Sequence, residues 1–429
     1  MSTRQGAPAR RGSVVLPLAR LLWYAYVALV VVLVAYYAVV LTRGAGTGVD
    51  FACFRSAAIL FAHGGNPYDA ARLWHTQDAL YNAPRHLRPG MRDYYYLDRY
   101  YNPPLFHAAL VPLARLPFAG GYAIYTALVV ILAVVGAWLT LRALGWRGRA
   151  TVAATGILLV SPGFFLAARN GQQSTLLLCA LGAALYAVRR DRPALAGAVL
   201  ALGWVKPHLL VPFALIAPLL LPSRRAMLRW YAGFAAATAF GVALTLLLAG
   251  PASIAAWLHL LLHYGATVDS LHSYLPSLSG MGLVALPHPW NKIISFGIMA
   301  AGLGVIVAIV VRGRRDPSGA LWPRLGALLA AWLLFTPYAH VNDDVLLLLP
   351  LAAAWGPWGE RGERLPRLLP FAALWAVSAL SLAFLLPRPW SLLGLLPPAL
   401  VFLAVTRRAF QPLAGIDRRL EITTAAAAR

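Results

Sequence analysis

The chain is short of charge, and above all of negative charge. Charged residues make up 12% of its 429 positions, where soluble domains carry about a quarter. Aspartate and glutamate number 14 against 37 lysines and arginines, and Lys206 and Lys292 are the lone lysines. Two cysteines, Cys53 in a polar stretch and Cys179 in an apolar one, are too few for a disulfide scaffold. Neither has the spacing of a metal site, and no bond between them is expected. Internal repeats and long low-complexity linkers are absent, which excludes a solenoid and a disordered chain. What remains is apolar: 60% of the residues are hydrophobic, which excludes an ordinary soluble enzyme and leaves a polytopic membrane protein.

The net charge of +23 would suggest nucleic acid in a soluble protein. Here the arginines sit in short clusters between apolar runs, the pattern of membrane topology, and no nucleic-acid partner is expected. The run from Leu21 to Leu41 follows Arg4, Arg10, Arg11 and Arg20 and is long enough to span. It exceeds the apolar core of a signal peptide and reads as an uncleaved anchor. Further spans are expected at 120–141, 151–168, 171–188, 194–206, 207–221, 226–249, 291–311, 320–337, 343–358, 367–386 and 391–406, about twelve in all. Lys206-Pro207 interrupts the run 194–221, which predicts a broken helix pair. With the N-terminus inside, the arginine clusters fall on the cytoplasmic side at every turn. The expected organisation is therefore a cytoplasmic tail 1–20, a transmembrane domain 21–406 with outward loops 42–119 and 250–290, and a cytoplasmic tail 407–429. Within the first loop, 51–62 reads as an amphipathic helix in the interface. The stretch 104–117 is too short and proline-rich to span and reads as a re-entrant or surface helix.

Ionisable residues in or at the edge of a membrane are costly and therefore functional candidates. Four places on the outward side qualify. Asp50 is either a helix N-cap or a catalytic carboxylate at the membrane edge, and the two are compatible. The stretch Tyr94 to Pro104, with Tyr101 and Asn102, is either an interfacial aromatic belt or a surface for sugar faces and hydroxyls. Asn170-Gly171-Gln172-Gln173 is either a tight hairpin or a set of amide donors for sugar or phosphate. With this third place, if the 194–221 pair is broken, belongs Lys206, followed by Pro207 and His208, which either snorkels to the interface or meets a phosphate. Burying such a lysine costs roughly 2.5–3.5 kcal/mol, which a bound phosphate would offset. Arg55 and Arg169 are the other phosphate candidates. In the hairpin Pro337 to Asp344, the residues Asn342, Asp343 and Asp344 suit the cap of the next helix, whereas capping leaves His340 unexplained. A metal at His340 and the two aspartates is the weaker reading, and no cofactor or tightly bound metal is expected.

Five motifs, in order, resemble one family. They are Asp50 with the following helix and Gly65-Asn66-Pro67-Tyr68-Asp69; Tyr101 to Leu105 leading to Pro112-Leu113 and Leu116-Pro117; the Gly171-Gln172 hairpin; Lys206-Pro207; and Thr336-Pro337 with His340. Together they span about residues 45–355 and resemble glycosyltransferase family 87. That family is similar to the polyprenyl-phosphate-mannose-dependent α-mannosyltransferases of bacterial envelopes. The resemblance implies an all-α GT-C fold, an active site on the outer face of the cell membrane, Asp50 as catalytic base and His340 as its partner. It implies a lipid-linked sugar donor, mannose first and arabinose second, and a glycolipid or polysaccharide acceptor. The chemistry agrees. A phosphate leaves without a strong general acid, so one base and a few cations suffice. The competing class is a secondary transporter with a site in the broken helix pair, although the long first loop and the lack of visible halves fit it poorly. A non-catalytic lipid-sugar flippase or scaffold is the third class.

Overall fold

A computed structural model describes residues 48–81, 100–262, 277–280, 289–315, 321–354 and 395–410, with positions 24, 28, 32 and 286 besides. The chain divides into two compact units, Met1–Gly44 and Ala45–Arg429. In the first, positions 24, 28 and 32 are helical. The rest of the description concerns the second. The expected spans at 21–41 and 367–386, the run Tyr94 to Tyr96 and most of both tails lie outside the described residues.

Every described element is helical. In order they are α1 (Val49–Ala62), α2 (Ala70–Tyr81), α3 (Pro104–Ala114), α4 (Phe118–Ala143), α5 (Gly148–Leu159), α6 (Pro162–Asn170), α7 (Ser174–Arg189) and α8 (Pro193–Leu200). A 3₁₀ turn, Ala201–Val205, leads to α9 (Pro207–Ile216), and a second, Ala217–Leu220, precedes α10 (Arg224–Leu262) and α11 (Trp290–Arg315). Then follow α12 (Leu321–Phe335), a 3₁₀ segment Val341–Leu347, α13 (Leu348–Ala354) and α14 (Leu396–Phe410).

Among the described residues α4, α10 and α11 are long and apolar enough to cross a membrane, and α5 with α6 forms a fourth candidate bent by 57°. Their apolar side chains face outward, as with Ile131 on α4, Phe240 and Leu247 on α10, and Phe296 and Val307 on α11. In water such faces would be a liability; in lipid they are the expected surface. Basic residues mark one end of each: Arg142 in the last turn of α4, Arg224, Arg225 and Arg229 at the start of α10, and Arg312, Arg314 and Arg315 in the last turn of α11. This common end is the basic end below.

The interior is built by close helix approach. A Cβ on Gly182 of α7 would lie 2.5 Å from the Gly136 carbonyl oxygen of α4, and one on Gly136 would lie 2.7 Å from the Cys179 backbone nitrogen. Only glycine at both positions lets the two backbones meet, the small-residue packing that membrane helices use. α8 packs on α10 in the same manner. At the centre of the other half, Leu325 to Ala331 of α12 are all buried, enclosed by α11, α13 and α14.

Four expectations change. The span at 151–168 is two helices. Ser161 Oγ accepts from the Phe164 N–H and Pro162 opens α6, so a new helix starts where the old one frays. The loop expected at 250–290 begins as helix, because α10 continues to Leu262 past a break at Gly250 (φ 76°, ψ 165°). The span expected from 343 opens as a 3₁₀ segment. Finally, α1 does not lie with one face in an interface. Phe51, Ala52, Cys53, Phe54, Ser56, Ala57 and Ala58 are buried on all sides. Phe51 packs on Phe118, Tyr122 and Tyr125 of α4, and Phe54 on Phe106 of α3. α3 presents Pro104, His107, Leu110 and Ala114 inward. The His107 ring lies among Phe61, Tyr68 and Tyr100 with neither nitrogen hydrogen-bonded, and burial pushes its pKa down to about 3.

Gly182→Leu should force α4 and α7 apart and cost about 1–3 kcal/mol. Gly241→Leu should be neutral, since nothing lies within 4 Å of its Cβ position. Thermal unfolding of the detergent-solubilised protein, with the two variants side by side, checks this.

Candidate active site

The site is assembled around one turn, Gly171 to Ser174, between α6 and α7. Gly171 has φ +78° and caps α6, and a Cβ there would lie 2.8 Å from the Cβ of Phe51. Glycine thus serves both the left-handed turn and the close approach of α1. The approach is held by the Gly48 N–H donating to the Arg169 carbonyl at 2.6 Å and by the Tyr122 hydroxyl donating to the same carbonyl at 2.8 Å. The start of α1 therefore meets the end of α6, a favourable meeting of opposite dipole ends.

The next three side chains reach three different parts of the chain. Gln172 Nε2 donates to Asp50 Oδ2 at 2.7 Å. Gln173 Nε2 donates to Asn102 Oδ1 at 2.9 Å. Ser174 Oγ donates to Asp343 Oδ1 at 2.6 Å. Asp50 is not the N-cap of α1. Gly48 takes that position, and Asp50 lies in the first turn, where the dipole favours its charge. Its carboxylate is oriented by Gln172.

Asp343 is held by bonds to both of its carboxylate oxygens. Oδ1 also accepts from Lys206 Nζ at 2.8 Å, and Oδ2 accepts from the His340 backbone N–H at 2.9 Å. Lys206 Nζ reaches Ser174 Oγ at 3.2 Å, and Asn342 Nδ2 reaches the same oxygen at 3.0 Å. The pair is deep: the side chains of Lys206 and Asp343 are 9% and 1% exposed. His340, left unexplained by capping in the sequence, is the N-cap residue of the 3₁₀ segment, and Asp343 closes the cap from three residues on. Burial pushes the pKa of the His340 imidazole down to about 4, with Lys206 adding to the drop and Asp343 opposing it.

The helix break at Lys206 is present. Its backbone (φ −132°, ψ 79°) ends the 3₁₀ turn and starts α9 at Pro207. Trp204 Nε1 donates to Thr238 Oγ1 at 3.0 Å. Thr238 lies fourteen residues past Arg224, about 21 Å along α10 from the basic end. Ser174 lies fifteen residues from Arg189, about 22 Å along α7. The cluster thus sits far from the basic end. His208 holds Trp332 through its carbonyl at 2.8 Å, its ring meets Tyr338 edge-on at 6.3 Å, and its Nε2 is buried with no partner.

Of the candidates from the sequence, Asp50 meets Gln172, Asn102 meets Gln173, and Lys206, His208 and His340 gather around Asp343. Asp50 and His340 are tied to opposite sides of the same turn, through Gln172 and through Asp343 with Ser174. Asn170 is the last residue of α6. Tyr101 contributes its carbonyl, which accepts from Trp257 Nε1 at 2.9 Å, and Arg55 donates to the Leu116 carbonyl at 2.9 Å. Ser174, the pairing of Gln173 with Asn102 and the pairing role of Asp343 were not foreseen. A polar run before an apolar helix reads as a turn, and its partners are 71 to 169 residues away. Among the described residues no three of His, Cys, Asp or Glu gather where they would hold a metal ion.

A helical chain with lipid-suited faces and a buried polar cluster remote from its basic ends is a membrane protein with an enzyme-like site. It belongs to glycosyltransferase family 87, whose family model matches residues 100–337, more than half of the chain. It is a membrane glycosyltransferase, acting between a sugar donor and an acceptor. No curated protein matches the chain. The matched stretch holds Asn102, Gln172, Gln173, Ser174, Lys206 and His208; Asp50 lies before it and His340 and Asp343 just beyond.

Asp343→Asn keeps one acceptor oxygen, enough for the His340 N–H or for Ser174 but not for both, and leaves a buried ammonium uncompensated. It should cost about 3–5 kcal/mol, and adding Lys206→Met should recover most of that. Thermal unfolding of the two single variants and the double variant measures it. A pH dependence follows from His340. Its folded pKa lies below the unfolded value of about 6.5, so the unfolded chain binds the proton first as pH falls. Its contribution is complete above about pH 6.5 and is lost between there and about pH 4. His340→Asn should flatten that part of the unfolding-temperature profile between pH 7 and pH 5.

Proposed function

We propose that this chain transfers a sugar, mannose before arabinose, from a polyprenyl-phosphate donor to an envelope glycolipid or polysaccharide. The reaction takes place on the outer face of the cell membrane, with both termini cytoplasmic and about twelve spans. The observation that carries the reading is the Asp50 carboxylate, set in the first turn of α1 and oriented by Gln172 at 2.7 Å. Its remoteness from the arginine-rich ends supports an outward site.

In the step itself Asp50 takes the proton of the acceptor hydroxyl as that oxygen bonds to the anomeric carbon. The bond from that carbon to the phosphate oxygen breaks, and polyprenyl phosphate leaves with the electron pair. The acceptor oxygen, with this one base taking its proton, attacks from the face opposite the leaving group, which inverts the anomeric configuration. Two of the three Lys206 N–H groups are taken by Asp343 and Ser174. The third, with the imidazoles of His208 and His340, is directed to the phosphate charge that grows as the sugar departs. Arg55 on α1 and Arg169 on α6 supply further positive charge.

Transfer of radiolabelled mannose from polyprenyl-phosphate-mannose by purified protein is the test. Asp50→Asn should abolish it with donor binding retained, and activity within about threefold of wild type would remove Asp50 as base. Lys206→Met combined with Asp343→Asn should restore the fold but leave transfer about ten- to hundredfold down, because charge-assisted hydrogen bonds to the phosphate, worth roughly 1.5–3 kcal/mol, are gone. A double variant with wild-type turnover would reduce Lys206 to a structural cation.

A further inference from the structure

Gln173, which follows Gln172 and precedes Ser174 in the turn, meets Asn102 side chain to side chain. Both are more than nine-tenths buried, with Gln173 2% and Asn102 8% exposed. Their single hydrogen bond uses one amide N–H and one amide oxygen. Each amide carries two donors and one acceptor oxygen, so the pair retains a complete NH₂ group on Asn102, the second N–H of Gln173 and the Gln173 oxygen. Turning both amides over exchanges the roles and leaves the same complement, three N–H groups and one oxygen. Two buried amides that satisfy each other only in part are costly, and Gln173 follows directly on Gln172, which holds the proposed base.

The mounting around them is rigid. The Asn102 carbonyl accepts from the Tyr68 hydroxyl at 2.8 Å, and the neighbouring Tyr101 carbonyl accepts from Trp257 Nε1. Pro103 and Pro104 follow at once. Gln173 is fixed by the turn that carries Gln172 and Ser174. A donor and an acceptor held side by side match a sugar hydroxyl, which both donates and accepts, or two hydroxyls on adjacent carbons. Neither group titrates, so the pair reads position and handedness of hydroxyls without contributing charge.

We infer that Asn102 and Gln173 form a hydroxyl-reading site for a pyranose, and that they determine which sugar is accepted beside Asp50. The inference rests on the glycosyl-transfer reading above. The hydroxyl belongs to the transferred sugar or to the acceptor sugar, whose chemistry here is the same.

The test pairs a protein change with a ligand change. Asn102→Asp keeps an oxygen for the Gln173 N–H but replaces the remaining NH₂ by an acceptor. Wild type and variant are assayed with polyprenyl-phosphate-mannose and octyl α-mannoside, and with single-deoxy analogues of each. Wild-type transfer from the parent donor tests the broader reading by itself. In wild type, one deoxy position should lower kcat/KM about tenfold or more. In Asn102→Asp the same deletion should cost less than about twofold, because its partner is already gone. A lost penalty in the donor series assigns the site to the transferred sugar, and one in the acceptor series to the acceptor. Gln173→Glu, which reverses the internal bond and leaves one N–H and two oxygens in place of three N–H groups and one oxygen, should reproduce the result and serves if the first variant folds poorly. Equal deoxy penalties in wild type and both variants, at every position, would overturn the inference.

Discussion

A carboxylate that is almost wholly enclosed by protein can remain charged only if its partners come with it. Asp343 satisfies that condition by drawing in the Lys206 ammonium, the Ser174 hydroxyl and the backbone N–H of His340. Each partner comes from a different region: the break between two helices, the start of α7, and the turn before Val341–Leu347. Removing any one leaves charge or hydrogen-bonding capacity unmet in a medium that cannot hydrate it. The helix break at Lys206, which would be a defect in isolation, is thereby stabilised where it stands.

The same turn extends this order to the proposed base. Gln172, Gln173 and Ser174 are consecutive, yet they hold Asp50, Asn102 and Asp343 respectively. The geometry between base, amide pair and cation is thus set by the backbone of a single turn. That turn is itself locked by Gly171 against Phe51 and by the packing of α4 on α7 through Gly136 and Gly182. Catalysis by a preorganised site requires such rigidity, because the groups must already be in place when charge develops. The lipid-phosphate donor proposed above adds a requirement of its own, since its lipid tail must lie in the bilayer while its phosphate meets polar groups. A polar cluster about 20 Å from the basic ends, among helices with outward apolar faces, meets both.

Much of the fold was legible in the sequence because lipid imposes long apolar runs and arginine marks their ends. The helices at 118–143, 174–189, 290–315 and 321–335 fall close to their expected limits for this reason. The break at Lys206 was legible because proline after a charged residue has a local consequence. The errors arose where local pattern and environment diverge. The apolar character of α1 suggested a membrane surface, but aromatic rings of α3 and α4 enclose it. Pro162 and Gly250 bend or break runs whose composition alone reads as continuous or finished.

The sequence by itself determined the class of protein, the scarcity of acids that made each one informative, and the list of residues from which a site could be drawn. Composition and period suffice for that, because the energy of an apolar residue in lipid depends on little else. Which of those residues meet was decided by the tertiary structure. Asp343 became a buried ion-pair partner rather than a simple cap, Gln172 became the residue that orients Asp50, Gln173 found its partner in Asn102, and Ser174 entered the site unannounced. Hydrogen bonds and ion pairs act over about 3 Å, whereas these partners lie up to 169 residues apart along the chain. No local pattern encodes such a meeting, and only the packing of helices brings it about.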